Sequence, residues 1–175
     1  MPAGDYANTR FSPLEDIDAT NVQSLQLSFS FSTGVLRGHE AAPIVAEGTM
    51  FIVTPYPNYL YALDLTRPGA PLKWKFEPKP KSSSQGMACC DFVNRGVAYS
   101  DGRLFFNTLD AQTVAVDAKT GKELWRATLG DVGRGETMTM APLVVKDKVY
   151  VGNSGGEFRR HGKSTSTFLS GAAPW

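Results

Sequence analysis

The feature that most restricts the fold is a spacing. The three tryptophans stand at Trp74, Trp125 and Trp175, separated by 51 and 50 residues. Self-similarity at a fixed period of this length marks architectures in which one supersecondary unit is copied along the chain. The flanks repeat too. The stretches Asp64 to Trp74, Asp117 to Trp125 and Thr167 to Trp175 each read as a strand end, a Gly-containing turn and a second strand. Upstream, each unit has a β-rich run after a polar turn: Gly48 to Thr54, Asp101 to Thr108 and Asp147 to Gly152. Two of these runs follow an Ala-Pro, at Ala42-Pro43 and Ala141-Pro142. Leu60 to Leu63 and Val114 to Val116 supply a further short apolar strand, suited to a sheet buried on one or both faces.

About four short strands in a unit of this length describe a propeller blade, and no window carries the sustained 3.6-residue period of a helical solenoid. The fold class expected is therefore all-β, a partial β-propeller of about three four-stranded blades. The units fall at 33–78, 79–129 and 130–175, behind an N-terminal segment and outer strand at 1–32. The recurring tryptophan is read as structural, a large side chain burying area between neighbouring sheets. Helix is scarce; Asp16 to Leu25 is the best candidate for a short helical turn, capped by Asp18, Thr20 or Asn21. Three blades cannot close a ring without leaving sheet edges unpaired, so the chain reads as a fragment or a truncated reading frame.

Charge narrows the partners. With 18 basic and 17 acidic residues and a formal net charge of +1, the chain lacks the basic footprint of a nucleic-acid binder. A small molecule or a protein is the expected partner. No run is apolar enough for a transmembrane segment, and Met1 to Asp5 lacks the basic and apolar regions of a secretory signal. Gly133-Arg-Gly135 begins a dinucleotide-type pattern, but Met138 occupies the third glycine position and no βαβ context surrounds it, which argues against a nicotinamide enzyme. His39 and His161 sit in different motifs and make no metal pair.

The two cysteines are adjacent, Cys89-Cys90, so neither a disulfide framework nor a zinc site can be built from them. Two readings stand. They are two small buried thiols, or they form a bridge, for which neighbouring Cα atoms about 3.8 Å apart would force a distorted backbone.

Several stretches together resemble one family. Cys89 through Tyr99 is similar to the vicinal-disulfide segment of the pyrroloquinoline quinone (PQQ) dependent methanol and ethanol dehydrogenases. Gly4 to Leu14 resembles that family's opening stretch, and Thr33 to Pro43 its first pocket segment. Gly135 to Pro142 and Gly152 to Phe158 match two more, in family order. The resemblance implies an eight-bladed quinoprotein propeller, of which this chain would form roughly the first three blades. It also implies residue roles. Cys89-Cys90, bridged, would press on one face of the quinone, and Arg95 would meet a cofactor carboxylate with a planar guanidinium. Thr139 and Ser154 would donate hydroxyl hydrogen bonds, Gly155 and Gly156 would leave backbone N–H groups accessible, and Glu40 would sit at the cofactor rim. Glu157 would be a metal ligand for Ca²⁺ or a lanthanide, with Gly155-Gly156 leaning toward the lanthanide-type branch.

What the resemblance implies for the complete enzyme is PQQ-dependent oxidation of a primary alcohol, methanol or ethanol, with electrons passed to cytochrome c. It implies a periplasmic location and, for full-length members, a homodimer. The catalytic aspartate would come from later blades, so no catalytic residue is expected in this chain and activity of 1–175 alone is not. A rival of another class is a non-catalytic PQQ-like propeller scaffold that binds protein partners; such a scaffold would need the Trp repeat but not the pocket motifs. An enzyme of the same superfamily acting on a sugar or polyol is the nearer rival. After Phe158 the family's Gly-Val-Arg-Gly and aliphatic strand give way to the polar Arg159 to Thr167, so the third unit is expected to be aberrant from there.

Overall fold

The computed structural model describes residues 7, 9, 11–88 and 91–155, together with the backbone of a strand at 166–170. The chain builds three antiparallel sheets. The first contains β1 (Ile44–Ala46), β2 (Thr49–Val53), β3 (Leu60–Asp64) and β4 (Leu72–Phe76), hydrogen-bonded in chain order. The second repeats it with β5 (Ala98–Ser100), β6 (Arg103–Thr108), β7 (Gln112–Asp117) and β8 (Glu123–Thr128). The third has β9 (Leu143–Val145), β10 (Lys148–Gly152) and β11 (Ser166–Ser170) in the order β11-β10-β9, three strands among the described residues. β11 pairs with β10 from Gly152↔Ser166 to Lys148↔Ser170, so the third sheet acquires a partner strand beyond the polar stretch.

The tight turns explain the first two inner hairpins. Glu47-Gly48 and Asp101-Gly102 each place two successive residues at positive φ, the type I′ geometry whose twist matches antiparallel strands. At the next turns a carboxylate joins the backbone as acceptor. Asp64 Oδ1 accepts from the Thr66 N–H (3.0 Å) and hydroxyl (2.6 Å), and Asp117 Oδ1 accepts both from Thr120 at 2.7 Å. Those hydroxyl bonds, the largest cause in each case, hold both carboxyls below the ordinary 3.8.

Side-chain alternation explains the core. Leu104 and Phe106 face the first sheet, where they meet Phe51, Val53, Leu60 and Ala62. Phe105 points the other way, joining Met138, Val149 and Val151 beside the third sheet. The second sheet is thus covered on both faces, which is why β6 reads as a continuous apolar run. The first of the repeating tryptophans is a clamp between sheets, while Trp125 packs on Phe105 and Trp175 lies outside the described residues. Trp74 on β4 donates its indole N–H to the Ala118 carbonyl at 3.1 Å and lies over Gly121, where an added Cβ would stand 2.7 Å from a ring carbon.

The short helical turn expected within Asp16 to Leu25 is a single 3-10 turn at Val22–Ser24, and it goes no further. Asp18 is the reason. Its Oδ1 accepts from the N–H groups of Thr20 (2.7 Å) and Asn21 (3.2 Å), while Asn21 Oδ1 accepts from the Asp18 N–H (2.9 Å). Such local bonds satisfy the backbone without a helix. Asn21 occupies the cap position and makes no side-chain cap bond.

Candidate cofactor site

The site grows from the segments that lead into the innermost strands. The hairpin registers Ala46↔Thr49, Ser100↔Arg103 and Lys148↔Val145 align the three sheets residue by residue. On that alignment Glu40, Asn94 and Thr139 occupy one equivalent position, four residues before β1, β5 and β9. Ala42, Gly96 and Ala141 occupy another. Here the lead-ins touch: Ala42 and Gly96 form a parallel bridge, and a Cβ on Gly96 would lie 3.4 Å from that of Ala141. Small residues at this position let three backbones converge.

The convergence gathers three of the residues singled out in the sequence. The Arg95 backbone N–H donates to the Thr139 carbonyl at 2.9 Å, and its guanidinium Nη1 donates to Thr139 Oγ1 at 2.7 Å. Arg95 Nε lies 3.4 Å from Glu40 Oε2, with the two side chains 43% and 47% exposed. An ion pair this open contributes about 0–1 kcal/mol, too little to explain the cluster as a stability device. The arrangement does set chemistry. Thr139 receives a hydrogen bond and keeps its own O–H to give away, and the Arg95 Nη2 nitrogen has no protein acceptor among the described residues.

Ser154 is placed differently. It forms an isolated antiparallel bridge with Thr137, its hydroxyl 2.9 Å from the Thr137 hydroxyl and donating to the Thr137 carbonyl at 3.1 Å. Gly155 is buried at φ +99°, and a Cβ there would overlap the Gly135 carbonyl oxygen. The absence of a side chain at 155 is therefore demanded by Gly135, before any ligand is considered. Cys89, Cys90, Gly156 and Glu157 lie outside the described residues. The segment leaving the cysteines is held on both sides: the Tyr56 N–H donates to the Phe92 carbonyl at 2.9 Å, and the Arg37 guanidinium carbon sits 4.4 Å from the Phe92 ring centroid.

Sequence reasoning missed Thr137 and the buried amides Asn94 and Asn107. A polar residue after the apolar Leu104-Phe-Phe106 was the available signal for Asn107. Thr137 had only its spacing from Thr139.

The donor set suits an acceptor-rich, flat polyanion such as PQQ: a half-exposed guanidinium with spare N–H groups and a hydroxyl with a spare proton, both on a floor of close-packed backbone. For the metal, no group of three or more His, Cys, Asp or Glu side chains able to hold an ion occurs among the described residues.

Comparison with known proteins gives the family. A family model described as the glucose/ethanol/alcohol dehydrogenase β-propeller domain, of the PQQ type, matches residues 1–166. The chain belongs to the PQQ-dependent alcohol dehydrogenase β-propeller family. Within it, the chain is 55% identical over 163 residues to the lanthanide-dependent methanol dehydrogenase of Methylacidiphilum fumariolicum strain SolV, covering 93% of this chain and 27% of that protein. Identity to the lanthanide-dependent methanol dehydrogenase of Methylorubrum extorquens is 53% over 154 residues, covering 88% and 26%. Among solved structures, a europium-containing methanol dehydrogenase superimposes with a TM-score of 0.86 at 55% identity, over 90% of this chain and 27% of that one. The quinohemoprotein alcohol dehydrogenase of Comamonas testosteroni gives 0.79 at 37% identity, over 87% and 22%. The chain thus spans about a quarter of the length of these methanol dehydrogenases, and its three sheets are part of a quinoprotein propeller.

Proposed function

We propose that this chain forms one wall of a PQQ site in a protein that oxidises a primary alcohol, methanol or ethanol, to the aldehyde and passes the electrons to cytochrome c. The observation that carries the reading is the meeting of Glu40, Arg95 and Thr139 from three separate sheets at one open floor. A scaffold that only binds proteins has no use for that cluster, whose ion pair adds almost nothing to stability.

Bound PQQ, with Ca²⁺ or a lanthanide beside it, supplies the electron-accepting and Lewis-acid chemistry. The chain's own residues bind and orient. Arg95 Nη2, aimed by the Glu40 and Thr139 contacts, holds a carboxylate by charge-assisted hydrogen bonds. The Thr139 hydroxyl, already accepting from Arg95, gives its proton to a second acceptor. Ser154, whose proton goes to the Thr137 carbonyl, would join only by turning its hydroxyl from that bond; Gly155 and Gly156 would contribute backbone N–H groups, Cys89-Cys90 the wall against one face, and Glu157 the metal carboxylate. The base that takes the alcohol proton lies outside these 175 residues, so this polypeptide alone binds and does not turn over. Relatives bearing lanthanide-dependent names support a lanthanide at Glu157.

Calorimetric titration of the 175-residue chain with PQQ tests the reading. Loss of one charge-assisted contact is worth about 1.5–3 kcal/mol, so Arg95→Ala should weaken binding about 10- to 100-fold, with Arg95→Lys between. Equal affinity for the parent chain and Arg95→Ala would overturn it.

A further inference from the structure

The polar residues inside the second sheet break the repeat. In the first sheet the strand pair at the site end of the middle hairpin is apolar, Val53↔Leu60, both fully buried. The equivalent pair in the second sheet is Asn107↔Thr113, also fully buried. An apolar pair suits that position, so two polar side chains there need partners that justify their burial.

Their bonds run to the lead-in segments. Thr113 donates its hydroxyl to Asn107 Oδ1 at 2.8 Å, and Asn107 Nδ2 donates to the Met140 carbonyl at 3.0 Å. Asn94, equally buried, donates Nδ2 to the Asn107 carbonyl at 2.8 Å and accepts the Gly96 N–H at Oδ1, 3.0 Å. The relay thus grips the chain on both sides of Arg95, at 94 and 96, and grips Met140 immediately after Thr139. Asn94 also stands where the other two sheets place Glu40 and Thr139. At that position the second sheet turns its side chain inward to the backbone, while the next residue, Arg95, supplies the group that faces the floor.

We propose that Asn94, Asn107 and Thr113 are positioning residues for the cofactor site: a buried amide relay that locks the Arg95 and Thr139 backbones against each other and so aims the guanidinium. The proposal rests on the cofactor reading above for its purpose, and on the hydrogen bonds for its structure. Replacing both members of a hydrogen-bonded pair with apolar groups of similar shape is nearly neutral for folding where strand packing is all that matters. Here it also frees the Met140 carbonyl and loosens its neighbour.

The test is the double variant Asn107→Val with Thr113→Val in the 175-residue chain, which restores an apolar pair like that of the first sheet. Two readouts are taken. Hydrogen exchange of the Arg95 amide, which needs no cofactor, should accelerate at least about tenfold, while the Leu63 amide in β3 keeps its protection. The PQQ dissociation constant should rise about tenfold, and the rise should vanish in an Arg95→Ala background, because the relay acts through that residue. Unchanged Arg95 exchange overturns the proposal, as does a loss of affinity that persists without Arg95. Should the parent chain bind no PQQ, the cofactor reading fails alone, and the exchange result still decides the relay. Should the double variant not fold, Thr113→Val by itself, which removes one hydroxyl bond, must still speed Arg95 exchange or the proposal falls.

Discussion

Two glycines in equivalent turns separate what a tryptophan contributes from what a backbone conformation costs. Gly69 lies between β3 and β4 at φ +77°, and Gly121 lies between β7 and β8 at φ +72°. Alanine at either site must adopt the left-handed region, about 1–2 kcal/mol, offset by roughly 0.4–1 kcal/mol of lost unfolded-state freedom. At Gly69 nothing stands within 4 Å of an added Cβ, so Gly69→Ala should cost about 1 kcal/mol. At Gly121 the same methyl meets Trp74 ring carbons at 2.7, 2.9 and 2.9 Å. The ring has little room to retreat, since its N–H is bonded to the Ala118 carbonyl and its face packs beside Phe51, centroids 5.9 Å apart. Forcing a methyl into such a contact adds about 1–3 kcal/mol, so Gly121→Ala should cost about 2–4. Urea unfolding followed by fluorescence reads both variants, and the excess at Gly121 should disappear in a Trp74→Ala background. Equal losses at the two glycines, or an excess that survives without the indole, would refute the clamp.

Other positions give shorter tests. Phe106 is fully buried and edge-on to Phe76, so Phe106→Ala should cost about 3–5 kcal/mol in urea unfolding. Gly155→Ala drives a methyl into the Gly135 carbonyl, so the Ser154 amide, bonded to the Thr137 carbonyl at 2.8 Å, should lose its protection from hydrogen exchange. Acid gives a third. Asp64 and Asp117 sit below 3.8 in the folded chain, so their contribution is complete above that value and is lost as pH falls through the folded pKa values. Asp64→Asn with Asp117→Asn should therefore lower the melting temperature at pH 6 and flatten its decline between pH 5 and about 2.

The parts of the fold legible in the sequence were those fixed by local alternation and by period. The β-rich runs from Gly48, Asp101 and Asp147 became β2, β6 and β10 because their apolar residues meet a neighbouring sheet, on one face for β2 and β10 and on both faces for β6. The short helical turn read in Asp16 to Leu25 was legible as well: it is the 3-10 turn at Val22–Ser24 with Asn21 at the cap position, and Asp18 and Asn21 spend their hydrogen bonds on keeping it to one turn. At the candidate site, Glu40, Arg95 and Thr139 were each singled out by resemblance. Their mutual contact was not, because it depends on which residue of each lead-in lands at the same height, a matter of register between strands far apart in the chain.

Register also accounts for how similar sheets bring unlike residues to one candidate site. The three lead-ins carry small residues at Ala42, Gly96 and Ala141, where Gly96 bridges Ala42 and faces the Ala141 methyl. Two residues upstream the side chains diverge into a carboxylate at Glu40, an inward amide at Asn94 and a hydroxyl at Thr139. The cation comes from the position between, Arg95, flanked by Asn94 and Gly96, which are tied to each other at 3.0 Å. Moving the cation one position back, as Asn94→Arg with Arg95→Asn, would keep composition and charge yet break that tie and bury a guanidinium. Such a swap should abolish PQQ binding in the same titration; an affinity within about twofold of the parent's would mean that charge near the floor suffices and that register does not set the site.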